Sequence, residues 1–468
     1  MPSDMSDFQP FRQKMEQASV SEAAIKSFER NFNSLVNQET GMISEDTIDP
    51  VAELPELADI SSSDTTFDAD LLAQTVVIKL NGGLGTSMGL QKAKSLLPVK
   101  GDSNFLDIIV EQISHLRKTT GADVRFLLMN SFSTSEDTLA HLEQYADRNL
   151  AAAEDVEMMQ NQIPKIDTET FLPATYEKNA SLEWCPPGHG DLYAAIAGSG
   201  WLDKLLDAGV KYAFVSNSDN LGAVLDAGIL KYFAESGKPF IMEATRRTEA
   251  DKKGGHLAVR KSDDQLLLRE VAQCPDEDLG DFQNTERHQY FNTNSLWIRL
   301  DALKEALDAQ DGSLPLPMIK NTKTVDPRDK KSTSVFQLET AMGAAIECFA
   351  GAGAICVPRS RFAPVKTSAD LFSLRSDAYT TTEDGRIALI PEREGKPPVV
   401  SLSDEYKLVD SLEGLGVPSL KKAEKISING PVRFTENVTI VGDVSFKNVD
   451  SDTKWIAAGT YQNETVSI

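Results

Sequence analysis

The stretch "KLNGGLGTSMGLQKAKSLLPVK", Lys79 to Lys100, crowds Gly82, Gly83, Gly85 and Gly89 together, with Lys92 and Lys94 behind them. Glycines let phosphate oxygens approach the main chain without meeting a Cβ atom, and nearby lysines can neutralise a triphosphate. The spacing matches neither familiar nucleotide loop. GxxxxGK[ST] needs a Lys where Leu90 stands, and GxGxxG counted from Gly83 and Gly85 needs its third glycine at Met88. A tight structural turn with solvated lysines is the other reading of these glycines. In "CPPGHGDLYAAI" the prolines stiffen the approach, Gly188 and Gly190 expose backbone, Asp191 stands where it can cap the next helix, and His189 is carried at a loop tip. That histidine serves either a ligand or its own loop. "FVSNSDNLG" ends an apolar run with Asn217, Ser218, Asp219 and Asn220, and Asp219 suits magnesium, which takes a carboxylate together with substrate phosphates. "FNTNSLWI" adds Asn292 and Asn294. "VPRSRFAPVKTSADL" gathers Arg359, Arg361 and Lys366, which an anionic ligand explains more economically than a solvated charged face.

These motifs need a frame. The β-rich runs "TVVIKL", "VRFLLMN", "YAFVSNS", "PFIMEA", "NSLWIRL" and "AICVP" alternate with the helical patterns "FLDIIVEQISHLRK", "DLYAAIAGSGWLDKLL" and "VFQLETAMGAAIECFA". Such alternation predicts a mainly parallel sheet covered by helices, with ligands at the carboxyl ends of the strands. Upstream, residues 8 to 37 carry apolar positions at helical spacing (Phe28, Phe32, Leu35), and "ISSSDTTFDAD" reads as a linker that puts a domain edge near 70. In the tail, Ile426, Val432, Val438 and Val444 recur every six residues, as do Ile428, Phe434, Ile440 and Phe446. Hexads predict coils of a β-helix, against an ordinary meander of half-buried strands.

The chain has 468 residues, enough for two or three domains, and is 41% hydrophobic and 25% charged, as soluble globular proteins are. A net charge of −24 argues against nonspecific nucleic-acid or membrane-surface binding, so an anionic ligand must be held by local groups. Cys185, Cys274, Cys348 and Cys356 form no CxxC pair and no zinc cluster, and read as reduced, mostly buried thiols. With no leader pattern at the start and no run of about 18 apolar residues, the expected location is cytoplasmic.

Together "KLNGGLGTSMG", "KSLLPVK", "PGHGD", "SNSDNLG", "FNTNSLWI", "QLETAMGAAI" and "VPRSRFAPVKT" closely resemble, in order over about residues 75 to 375, the eukaryotic-type UTP:glucose-1-phosphate uridylyltransferases, or UDP-glucose pyrophosphorylases. The resemblance implies an α/β fold with a Rossmann-like nucleotidyltransferase core on a mainly parallel mixed sheet, plus a C-terminal left-handed β-helix. It divides the chain into an N-terminal helical segment (1–70), a catalytic domain (71–384) and a β-helix domain (385–468). It implies Mg²⁺-dependent, reversible transfer of UMP from UTP to glucose 1-phosphate, with no nucleic-acid or membrane partner. The family's nucleotide loop looks like Leu80, Asn81, Gly82 and Gly83, its phosphate lysine like Lys94, and its uracil-reading glutamine like Gln162 in "NQIPK", beside Gly188. His189 resembles the sugar-phosphate contact, Asn217, Ser218 and Asp219 the ribose and metal region, Asn292 and Asn294 further substrate contacts, and Lys366 the essential catalytic lysine. The first 70 residues match loosely, and "NTKTVDPRDKKSTS" is more basic than the family usually is. A pyrophosphorylase for another or a broader range of UDP-sugars, such as a UDP-N-acetylhexosamine, is the nearest rival, and a nonenzymatic nucleotide or sugar-phosphate sensor the rival from another class. Monomer and homo-oligomer both stay open, the end coil of a β-helix being a surface on which a second copy can dock.

Overall fold

The computed structural model describes residues 7–61 and 65–468, so the middle of the expected linker, residues 62–64, lies outside the described residues. At the centre is a ten-stranded mixed sheet. Tyr212–Asn217 runs parallel to Thr75–Asn81, which runs parallel to Arg125–Asn130, which runs parallel to Glu157–Met159. These strands are short and mostly apolar because both faces are covered. Along Thr75–Asn81, Val76 and Ile78 enter one core with Leu192, Ile196 and Leu202, while Val77 enters the opposite core with Phe105, Ile109 and Phe233. Neighbouring strands alternate likewise: Phe126, Leu128 and Phe214 face one side and Leu127, Met129, Ala213 and Val215 the other.

On its other side Tyr212–Asn217 pairs antiparallel with Tyr290–Arg299, so Asn292 and Asn294 reach the same sheet edge as Asn217 from the opposite chain direction. Phe240–Arg246 pairs antiparallel with Tyr290–Arg299 and parallel with Gly353–Cys356, which brings the loop after Cys356 to that edge as well. The Gly-rich loop, "SNSDNLG", "FNTNSLWI" and "VPRSRF" therefore open at one edge, while "PPGHGD" follows Trp184–Cys185 of a separate two-stranded sheet with Ile163–Pro164.

Two helices, Gln9–Gln17 and Glu22–Val36, satisfy the apolar spacing of residues 8 to 37 and bury Phe11, Phe28 and Phe32 against Ile163, Cys185 and Leu338. One expectation is corrected. "VFQLETAMGAAIECFA" is not a helix but a strand, Ser334–Thr340, followed by a 3-10 segment, Met342–Cys348. The strand forms a hairpin with Met318–Thr324, and these cross-strand bonds override the helical spacing of its apolar residues. The tail forms parallel strands: Val400 lies beside Ile426 and Ile426 beside Val444, while Leu402, Ile428 and Phe446 line up one position over. The hexad residues are those buried between the strands.

Candidate active site

The loop leaves its strand under firm restraint. Asn81 is buried and donates to Asn130 Oδ1 at 2.7 Å and Thr138 Oγ1 at 3.0 Å, while its own oxygen accepts from Ser218 Oγ at 3.2 Å. The Leu80 carbonyl accepts the Ser218 N–H at 3.1 Å. Ser131 Oγ donates to the Gly82 carbonyl at 2.9 Å. A Cβ on Gly82 would lie 2.5 Å from Gln160 Oε1 and displace that amide, whereas one on Gly83 would meet nothing within 4 Å.

Lys94 ties three motifs together. Its N–H donates to the Gly83 carbonyl at 3.1 Å, its Nζ lies 2.7 Å from Asp219 Oδ2, and the same Nζ donates to the Val365 carbonyl. Val365 in turn donates its N–H to the Asp219 carbonyl at 3.2 Å. Lys366 follows directly, exposed, with its N–H on Asp370 Oδ2 at 2.9 Å and its Nζ 5.6 Å from the centre of the Phe362 ring. Lys92 departs from the expectation that it shares this excursion: its ammonium is largely exposed and lies 4.0 Å from Asp137.

The turn after Pro187 closes the opposite wall. Gly188 takes φ +81°, ψ 175°, and Cβ atoms added to Gly188 and Gly190 would fall 2.5 Å from the Thr340 carbonyl and 2.3 Å from its hydroxyl. The Met342 N–H donates to His189 Nδ1 at 3.0 Å, which leaves Nε2 as the protonated nitrogen. Burial lowers the His189 pKa to about 4, so the ring is a neutral donor. Asp191 does not cap the helix it begins. It is buried and accepts the Asn161 N–H at 2.7 Å and the Asn161 amide at 3.1 Å on each oxygen; burial raises its carboxyl to about 7 against those bonds.

The glutamine touching this wall is Gln160, which donates to the Gly188 carbonyl at 3.0 Å and faces Gly82. Gln162 lies two residues on, just before the Ile163–Pro164 strand. Asn217 stands half-buried at its strand end with its carbonyl accepting from Asn220. Asn292 and Asn294 bond each other, Asn292 Nδ2 to Asn294 Oδ1 and Asn294 N to Asn292 Oδ1, both at 2.9 Å. Asn294 is at φ +57° where the strand pairing slips by a bulge.

The cationic loop is less free than its composition suggests. Arg361 is buried and donates two hydrogen bonds to Glu243, at 2.8 and 2.7 Å, and Arg359 forks onto Asp251 at 2.7 and 2.8 Å, so neither keeps its charge for a ligand. Of the three cations only Lys366 stands apart from such a pair. Beneath, Lys79 is buried with its Nζ on Ser216 Oγ at 2.7 Å and the Ala223 carbonyl at 2.6 Å, and desolvation, then the nearby Arg361 charge, lower its pKa to about 7. Sequence reasoning missed Gln160, Glu243 and Lys79. The last two carried a signal, a charged residue inside an apolar strand run, which requires a buried partner.

Among the described residues no group of three His, Cys, Asp or Glu could hold a metal by itself. Asp219 offers one carboxylate at the mouth, which fits an ion completing its shell with phosphate oxygens and water.

Residues 25–441 match the family model described as UTP–glucose-1-phosphate uridylyltransferase. The chain is 41% identical over 389 residues to the UTP–glucose-1-phosphate uridylyltransferase of Solanum tuberosum, covering 82% of this chain and 79% of that protein. It is 43% identical over 380 residues to that of Hordeum vulgare, covering 80% and 77%. Among solved structures, the UDP-glucose pyrophosphorylase of Leishmania major superposes with a TM-score of 0.93 at 44% identity over 100% of both chains. A single-residue variant of it in complex with UDP-glucose gives 0.92 and 44%, again over 100% of both. A UDP-glucose phosphorylase of Trypanosoma brucei gives 0.89 at 47% identity over 98% of this chain and 99% of that one.

Proposed function

The chain belongs to the UTP–glucose-1-phosphate uridylyltransferase family, and from that premise we propose how its cleft works. It is a nucleotidyltransferase that moves UMP from UTP to glucose 1-phosphate, giving UDP-glucose and pyrophosphate. The observation that carries the assignment of roles is the junction at Lys94, where one ammonium joins the Gly-rich loop, the Asp219 turn and the segment leading to Lys366.

A phosphate oxygen of glucose 1-phosphate attacks the α-phosphorus of UTP in line, a P–O bond forms, and the bond to the bridging oxygen breaks to release pyrophosphate. The protein positions the reactants and stabilises charge. Gly82 and Gly83, after Leu80 and Asn81, admit the nucleotide against backbone. Lys94 and Lys366 act on the phosphates, Lys366 between donor and acceptor. His189 donates Nε2–H to the sugar phosphate, and Asn217, Ser218, Asn292 and Asn294 line the ribose and sugar side. Mg²⁺ held by Asp219 and the phosphates would offset negative charge as it builds. For the base, a glutamine amide matches uracil's adjacent donor and acceptor. We assign that role to Gln160, because its contacts with Gly82 and Gly188 put it at the loop and the turn together, with Gln162 as the alternative.

We further read the chain as a helical segment (1–70), a catalytic domain (71–384) and a C-terminal left-handed β-helix (385–468), supported by the parallel stacking of hexad residues. The exposed Val449 and Trp455 of that tail suit docking of a second copy, tested by sedimentation of the whole chain against one truncated near 385. The four free thiols fit a reducing, cytoplasmic compartment, and no helix among the described residues is long and apolar enough to cross a membrane. The assay is pyrophosphate release from UTP, glucose 1-phosphate and Mg²⁺, then a panel of sugar 1-phosphates. No release refutes the reading, and preference for N-acetylhexosamine 1-phosphate would replace the sugar.

A further inference from the structure

Asp191 has no ligand in the reading above, yet it is a carboxylate only 5% exposed. It caps no helix and meets no cation within ion-pair distance among the described residues. All its side-chain bonds go to one residue: the Asn161 N–H on Oδ2 at 2.7 Å and the Asn161 amide on Oδ1 and Oδ2 at 3.1 Å. Asn161 separates Gln160 from Gln162, and Gln160 reaches back to the Gly188 carbonyl in the turn that carries His189. The other end of the Asn161 side chain lies 3.4 Å from Ser21 Oγ, the N-cap of the Glu22–Val36 helix.

We propose that Asp191 is a positioning residue for base recognition: its carboxylate fixes the 160–162 peptide against the Gly188–His189 turn, so that the base is read at a set distance from the sugar phosphate. The proposal rests on the assignment of base reading to this peptide. An ionised carboxylate accepts the backbone and side-chain N–H groups at once, whereas an asparagine of equal volume has one acceptor oxygen and turns an NH₂ toward donors. Burial disfavours the charged form there, so packing alone would be served as well by a neutral group.

The test measures kcat/KM with UTP and with CTP for the wild type and for Asp191→Asn, Asn161→Ala, Gln160→Ala and Gln162→Ala. Loss of a hydrogen bond to a charged group predicts that the UTP-to-CTP ratio falls roughly tenfold in Asp191→Asn, with KM for UTP rising more than kcat falls. Asn161→Ala, which keeps the backbone bond, should show a smaller fall and decides the matter if Asp191→Asn does not fold. A residue that only stabilises the fold would lower both nucleotides alike. An unchanged ratio in both Asp191→Asn and Asn161→Ala overturns the proposal. An unchanged ratio in both glutamine variants instead removes the base-reading assignment, so the two failures are distinct.

Discussion

Replacing His189 by leucine keeps the bulk of the ring and removes its Nε2–H. The Met342 N–H occupies Nδ1 at 3.0 Å, so the free nitrogen carries the proton and can donate to a phosphate oxygen. A hydrogen bond to a charged group contributes about 1.5–3 kcal/mol, which converts to roughly 10- to 150-fold in kcat/KM for glucose 1-phosphate. The pH dependence gives a second check. With the pKa lowered from 6.5 to about 4, the folded chain holds the imidazole neutral through the range where a free histidine titrates. Between those values the unfolded chain binds more protons than the native one, so this residue makes stability fall as pH drops from 6.5 toward 4. The ratio of wild-type kcat/KM to that of the His189→Leu variant, followed by pyrophosphate release, should therefore stay flat from about pH 5.5 to 8. Equal activities at about pH 7.5 would refute the donor role. A ratio that climbs as pH falls through 6.5 would show that the imidazolium is the active form, against the burial argument.

Lys366→Ala should lower turnover by about 10² or more, on the scale of losing one preorganised donor to developing charge; near-normal turnover ends the role assigned to it. Gly188→Ala must hold a side chain at φ +81°, ψ 175° and 2.5 Å from the Thr340 carbonyl, so backbone strain alone costs about 1–3 kcal/mol. A lower Tm with a raised KM for glucose 1-phosphate is expected, and wild-type values for both would show that the turn is not held by Thr340. Arg361→Met removes the guanidinium from buried Glu243 and should destabilise by about 3–5 kcal/mol in urea unfolding; a shift under about 1 kcal/mol would mean that Trp297 and the nearby Lys79 charge suffice for that carboxylate.

The sheet was legible because its strands are buried on both faces and so stand out as continuous apolar runs, and the motifs were legible because turns carrying Gly, Asn and Asp follow those runs. Residues 335 to 350 mislead for a related reason: Val335, Leu338 and Ala341 keep helical spacing, but the choice is made by cross-strand bonds to Met318–Thr324, which no local window contains. Tertiary pairing also accounts for what the site motifs left open. In "QNQIP" either glutamine could face the cleft, because the peptide enters a regular strand only at Ile163; the Gly82 and Gly188 contacts that single out Gln160 are made by distant segments. The cationic loop misleads in the same way. Arg359 and Arg361 count as charge in the sequence and as neutralised partners of Asp251 and Glu243 in the fold. That neutralisation narrows the chemistry. A chain of net charge −24 repels a triphosphate at long range, and with both arginines engaged and Lys92 turned toward Asp137, Lys94 and Lys366 are the cations we propose for phosphate. Lys94 is itself paired with Asp219, so a triphosphate entering over Gly83 brings a second anion to an ammonium that already has one. Under the roles proposed above, nucleotide binding would draw Lys94 away from Asp219, and the same ammonium holds the Val365 carbonyl beside Lys366.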